Sequence, residues 1–247
     1  MQICKDANIQ ILKYTMMKKL CRMYLLLMGA MMLSLNLCAQ QSNDKKTWAN
    51  YEKYAAANAA LTMRPVAVFM GNSITENWAR MHADFFTENN YVGRGISGQV
   101  TAQILARFQA DVVNLHPKVV AILAGTNDIA QNLQYIDLEN IAQNVFSMCE
   151  VAKANNIKVI LCSVLPCTIY QWRKELGDPS DKIVALNAML KAYAEEHEIT
   201  YLDYHSAMKD EHNGLPKSIS NDGCHPTLEG YAIMEPMVME AIEKLAK

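Results

Sequence analysis

Four runs of the chain are apolar at nearly every position rather than at alternate ones: residues 66–70 (VAVFM), 118–125 (KVVAILAG), 157–166 (IKVILCSVLP) and 199–204 (ITYLDY). A strand with that pattern is covered on both faces. A weaker fifth strand is expected at 90–96 (NYVGRGI). Between the strands, helical spacing of apolar residues runs from Val100 (VTAQILARFQADVVNL), from Leu138 (LENIAQNVFSMCEVAKANN), from Ser180 (SDKIVALNAMLKAYAEEHE), and through the C-terminal LEGYAIMEPMVMEAIEKLAK. Ser180 and Asp181 read as helix-start residues and Asp137 as a cap. Pro236 is expected to kink the last helix, whose methionines read as core filling. An alanine-rich stretch before the first strand (KKTWANYEKYAAANAALTMRP) reads as a helix on the outside of the domain. Strands that alternate with helices in this order require right-handed crossovers. They predict an α/β fold, a three-layer α/β/α sandwich around a central parallel sheet.

Composition sets the scale. The 247 residues are 51% hydrophobic and 19% charged, enough for one sizeable core and no second domain of equal weight. The first segment stands apart. Lys18, Lys19 and Arg22 precede an apolar run that ends at Leu37, too short for a membrane span and well suited to a secretory signal peptide, with cleavage after Ala39 and translation starting at Met16 or Met17. Lipidation of Cys38 is the alternative, weakened by the bulky Leu37 beside it. The expected divisions are a signal at 1–39, a helical lead-in at 40–63 and one main domain at 64–247, exported to the periplasm or beyond.

Loss of residues 1–39 removes five basic residues and one acidic residue, which takes the net charge from −2 to −6. A domain so acidic is a poor partner for nucleic acid or anionic membranes, and no stable membrane insertion is expected once the signal is gone. Cys149, Cys162, Cys167 and Cys224 match neither a disulfide scaffold nor a zinc motif and read as buried thiols, although Cys167 could approach Cys224. Oligomeric state leaves no sequence signal.

In a parallel α/β sheet the loops at the carboxyl ends of the strands form the site. Those loops read GNSIT after the first strand, GRGISGQ after the second and GTND after the third, while DGCHPT precedes the last helix. A serine after a strand is ordinarily a cap, and Gly-Thr-Asn-Asp is ordinarily a turn. Four such loops on one edge favour chemistry. Ser73 is a weak nucleophile unless a base lies within hydrogen-bond reach, and that base needs an orienting acceptor. His225 can be the base and Asp222 the acceptor. The backbone N–H groups of Ser73 and Gly98, with the Asn127 amide, can receive an oxyanion. Trp172, and beside it Tyr170, stand where a substrate wall would be. His82, His116, His197, His205 and His212 show no metal-ligand spacing and read as structural or surface residues.

Taken together, GNSI, GISGQ, GTND and DGCHP in this order resemble the SGNH hydrolases, the GDSL-like esterase superfamily. Within it they are similar to the branch of platelet-activating factor acetylhydrolase subunits and bacterial carbohydrate acetylesterases. The resemblance spans roughly 64–245 and implies a flavodoxin-like fold, no cofactor and no metal. It assigns Ser73, Asp222 and His225 to the triad and Ser73, Gly98 and Asn127 to the oxyanion hole. The family pattern has Asp where Asn72 stands and often Asn where Gly93 stands. The activity implied is cleavage of a small O-acyl ester, acetyl on a carbohydrate, with a glycan or small-molecule ester as the only partner. A lysophospholipase or thioesterase for longer chains is the rival enzyme, and an idle glycan-binding protein is the rival outside enzymes.

Overall fold

The computed structural model describes residues 47–247 together with Met17, so the segment read as a signal peptide and Cys38 lie outside the described residues. The unit Trp48–Lys247 carries the fold. A short helix α1 (Ala55–Ala59) precedes β1 (Ala67–Gly71), α2 (Ser73–Met81), α3 (Ala83–Glu88) and β2 (Tyr91–Gly95). Then come α4 (Thr101–Ala106), α5 (Phe108–Asp111), β3 (Val119–Leu123), α6 (Thr126–Ile129), α7 (Leu138–Ala154) and β4 (Lys158–Cys162). The chain ends with α8 (Ser180–Glu196), β5 (Thr200–Leu202), α9 (Tyr204–Met208) and α10 (Leu228–Leu245).

The five strands are parallel in the order β2-β1-β3-β4-β5, with Ala67 in register with both Tyr91 and Val119. This is the flavodoxin-like doubly wound order, whose direction of winding reverses between β1 and β3. Alternate residues of one strand serve opposite cores. Val68 and Met70 of β1 join Val120, Ile122 and the inner faces of α4, α5, α7 and α8. Ala67 and Phe69 join α2, α3, α9 and α10 on the other side. Both faces are thus dry, which is why the strands read as unbroken apolar runs. Each fully buried large aliphatic or aromatic side chain contributes about 1.5–3 kcal/mol relative to exposure.

On the second face Phe69 meets Trp78 edge-on with ring centroids 5.3 Å apart, and Trp78 stacks on both Phe85 and Tyr231 at 5.4 and 5.2 Å. The Tyr231 hydroxyl donates to the Ile74 carbonyl at 2.8 Å. This aromatic block fixes α2, the helix that begins at Ser73.

The expected single helix from Val100 is instead broken. The backbone leaves helical geometry at Arg107 (φ −97°, ψ 4°), and α5 and a short 3-10 turn at Val113–Leu115 follow. The physical cause is a buried cation. The Arg107 guanidinium is drawn inward to Asp111 (2.9 Å), the Gln99 side chain (2.7 Å) and the carbonyl of Gly71 at the end of β1 (2.9 Å). A buried charge is tolerable only when paired in this way.

Among the described residues the lead-in forms one helix, α1, none of whose own residues is buried, and Asp203 ends the last strand early by capping α9 through the Ser206 N–H. Asp137 and Ser180 do mark helix starts, but neither caps with its side chain; Asp137 accepts the Tyr135 hydroxyl instead. Pro236 lies inside α10, which continues through it.

Candidate active site

The carboxyl ends of β1, β2 and β3 converge at the switch point. The Asn72 side chain accepts the Ile74 N–H at 3.1 Å and so caps α2 without the charge an aspartate would bring. Ser73 is the first helical residue, and its N–H has no acceptor within the helix. Gly98 lies in the β2–α4 loop with φ +79°, where a side chain would meet nothing within 4 Å. Its requirement is therefore conformational: a left-handed backbone that glycine adopts freely. Gly93, at the position where the pattern often has asparagine, faces α2 so closely that a Cβ would lie 2.5 Å from the Ala79 methyl.

Ser73 Oγ lies 2.9 Å from His225 Nε2, and His225 Nδ1 lies 2.7 Å from Asp222 Oδ2. The network assigns the tautomer: Nδ1–H donates to the carboxylate, which leaves Nε2 to accept from serine. Asp222 is itself held, because its Oδ1 accepts the N–H groups of His225 (2.8 Å) and Cys224 (2.9 Å). Partial burial raises the Asp222 carboxyl, but these donors and the histidine ring outweigh it and hold the group below the ordinary carboxylate range. Ser220 tightens the loop by donating to the His225 carbonyl at 2.8 Å and accepting the Gly223 N–H at 3.0 Å.

Asn127 donates from Nδ2 to the Gln99 carbonyl at 2.9 Å, next to Gly98. Its neighbour Asp128, absent from the expected set, takes the Thr101 N–H at 2.9 Å and the Thr101 hydroxyl at 2.6 Å. Burial pushes the Asp128 carboxyl up to about 6, against the pull of those Thr101 bonds. The two adjacent side chains therefore clamp the β3 loop to the β2 loop. The signal lay in GTND, where two polar residues follow a glycine at a buried strand end. Arg107 was legible only as a cation stranded within an apolar run.

These groups open on a cleft of about 370 Å³ lined by Ser73, Asn77, Gly98, Asn127, Asn132, Trp172 and His225, among others. Trp172 is 41% exposed and stands 6.0 Å from the His225 ring. Its indole N–H is already committed to Asn132 Oδ1 at 2.8 Å, so it presents its ring face. Tyr170 does not line the cleft. It is fully buried, its hydroxyl lies 3.0 Å from Thr126 Oγ1, and its ring backs Trp172 from behind. The ring belongs to the apolar core on the Val68 and Ile122 face of the sheet.

Cys149, Cys162, Cys167 and Cys224 are buried free thiols, and those of Cys167 and Cys224 are neighbours. A larger hollow of about 430 Å³, at the amino end of the strands beside Lys158, His197 and Leu245, carries no comparable grouping.

Comparison with known proteins follows the same lines. Residues 69–233 match the GDSL-like Lipase/Acylhydrolase family. A solved GDSL-like lipase from Bacteroides thetaiotaomicron is 50% identical, with a TM-score of 0.78, 80% of this chain covered and 99% of that one. An acetylxylan esterase from Geobacillus stearothermophilus is 22% identical over 147 residues, 58% of this chain and 67% of that enzyme. A Bacillus subtilis lipoprotein is 33% identical over 75 residues, 29% of this chain and only 31% of the lipoprotein's own length.

Proposed function

The chain belongs to the GDSL-like lipase/acylhydrolase family, hydrolases of ester bonds, and from that premise we propose that it removes small O-acyl groups, acetyl above all, from carbohydrates. Ser73 attacks the ester carbonyl while His225 takes its proton, and Asp222 stabilises the imidazolium that results. The oxyanion is received by the N–H groups of Ser73 and Gly98 and by the Asn127 amide. Return of the proton from His225 releases the sugar hydroxyl and leaves an acyl-Ser73. Water, activated by the same histidine, then frees the acid and restores the serine. The intact set of five residues weighs against an idle glycan-binding role. Export, read from the basic and apolar pattern of residues 1–39, belongs to the same proposal and finds support in the lipoprotein likeness.

The observation that carries the small-acyl reading is the lining of the cleft. Besides the reacting groups the described lining offers Asn77, the Ser97 and Asn132 side chains and the Trp172 ring, and among the described residues no Leu, Ile or Val. Each methylene taken out of water would gain about 0.8 kcal/mol, and this cleft offers no aliphatic wall to collect that gain. Amides and an indole face suit the hydroxyls and flat faces of a sugar. kcat/KM for p-nitrophenyl esters should therefore fall steeply from acetate to octanoate, and acetate should be released from acetylated xylo-oligosaccharides. A rate that climbs with chain length would move the assignment to a lysophospholipase or thioesterase.

Asn127→Ala removes one oxyanion donor and also the tether to the Gln99 carbonyl. A kcat lower by on the order of 10²–10³ is expected, with Ser73 still reactive toward a fluorophosphonate. A parental kcat would mean that the oxyanion is received elsewhere.

A further inference from the structure

Glu76 stands one turn along α2 from Ser73, where a glutamate ordinarily faces solvent. Here its side chain reaches across to the β2–α4 loop. Glu76 Oε2 accepts both the Ser97 N–H and the Ser97 hydroxyl at 2.6 Å, and Ser97 immediately precedes Gly98. The other carboxylate oxygen, Oε1, receives the Lys53 ammonium from the lead-in. One carboxylate thus ties the helix that carries the Ser73 N–H to the loop that carries the Gly98 N–H.

This loop and the two elements it joins, β2 and α4, are held from the lead-in at further points. The Tyr54 hydroxyl donates to the Gly95 carbonyl. Gln99 donates from its side chain to the Ala49 carbonyl at 2.7 Å, and Gln103 does the same to the Trp48 carbonyl. Residues 48–54 lie upstream of the family-matched region that begins at residue 69.

We propose that Glu76 is a positioning residue of the oxyanion hole and that the lead-in, acting through Lys53, is its second half. This rests on the reading of Ser73 and Gly98 given above. An exposed or half-exposed ion pair lends little stability, typically below about 1 kcal/mol, so the consequence of this one lies in donor placement. Preorganised donors act only if they already point at the site where charge develops. Glu76 fixes the spacing between two of them before substrate arrives.

The test uses p-nitrophenyl acetate, a generic small ester that makes no demand on sugar binding. Outright loss of an oxyanion donor costs on the order of 10²–10³ in kcat, so loosening one through Glu76→Gln should cost about 10- to 50-fold, with KM within about twofold of the parent. Lys53→Met should cost less, and the Lys53→Met/Glu76→Gln double variant should match Glu76→Gln alone, because the lysine acts only through the carboxylate. A parental kcat in Glu76→Gln, or losses that multiply in the double variant, overturns the inference. A purely structural role would instead lower Tm and move KM with kcat, and that pattern also overturns it. Should Glu76→Gln fail to fold, Lys53→Met decides, since a parental kcat there removes the second half of the device. Ser73→Ala runs beside these variants. A dead Ser73→Ala with a parental Glu76→Gln sinks only this inference, whereas an active Ser73→Ala removes its premise.

Discussion

Ser73→Ala is expected to lower kcat for p-nitrophenyl acetate by on the order of 10⁶, the scale seen when a serine nucleophile is deleted from a triad. The residue sits between the Asn72 cap and Ile74, at the first position of α2, and its Oγ lies 2.9 Å from the imidazole of His225, which lines the cleft. Alanine keeps the helix start and the backbone N–H. It removes only the hydroxyl proposed to form the covalent bond. Tm should therefore stay close to the parent value while turnover disappears, and steady-state hydrolysis beside a thermal melt checks both. Residual rate from the oxyanion donors and binding alone should survive above the uncatalysed reaction.

Asp222→Asn should cost about 10⁴ in kcat, for a reason visible in the loop. Oδ1 of Asp222 accepts two backbone N–H groups, so an asparagine will keep its carbonyl oxygen there and turn its NH₂ toward His225 Nδ1. That nitrogen must then accept, which moves the ring proton to Nε2. A protonated Nε2 facing Ser73 cannot take the serine proton. The pH behaviour follows from the depressed carboxyl of Asp222. Stability lent by a depressed carboxyl is present above its unfolded value and lost as pH falls through the lower folded value. Parental Asp222 therefore lends its stability in full above the ordinary carboxylate range and loses it progressively as pH falls through that range toward the lower folded value. Asp222→Asn should lack that contribution, so the variant should be less stable than the parent near neutral pH, with the gap closing as pH falls into acid. Rates and urea-unfolding curves across pH for parent and variant would test both parts. A variant with more than a tenth of the parental kcat contradicts the orientation role.

The strands were legible because each face of the sheet is covered by helices, so Val68 and Ala67 alike are apolar although they point into different cores. The central residues of the site were legible for a related reason. Glycine, serine, asparagine or aspartate directly after a buried strand has few structural excuses when four loops do it on one edge. Tyr170 was misplaced because sequence shows that an aromatic lies in the loop after β4 but not which way the loop turns it. Its burial depends on Thr126 and Trp172, residues from 2 to 44 positions away. The break at Arg107 was hidden by an apolar helical pattern that continues on both sides of it. Its cause is the tertiary fact that Gly71, Gln99 and Asp111 surround the guanidinium. Glu76 was invisible for the converse reason. On α2 it has the look of a solvated glutamate, and only the parallel pairing of β1 with β2 brings Ser97 to it.

The central claim is that Ser73 is the nucleophile of a covalent acyl transfer, and intact-mass measurement after reaction with a fluorophosphonate tests it most directly. The protein should gain one adduct, peptide mapping should place it on Ser73, and activity should fall in step with labelling. Ser73→Ala should gain none. An adduct on another residue, undiminished labelling of Ser73→Ala, or an active enzyme that the reagent never modifies would contradict the account.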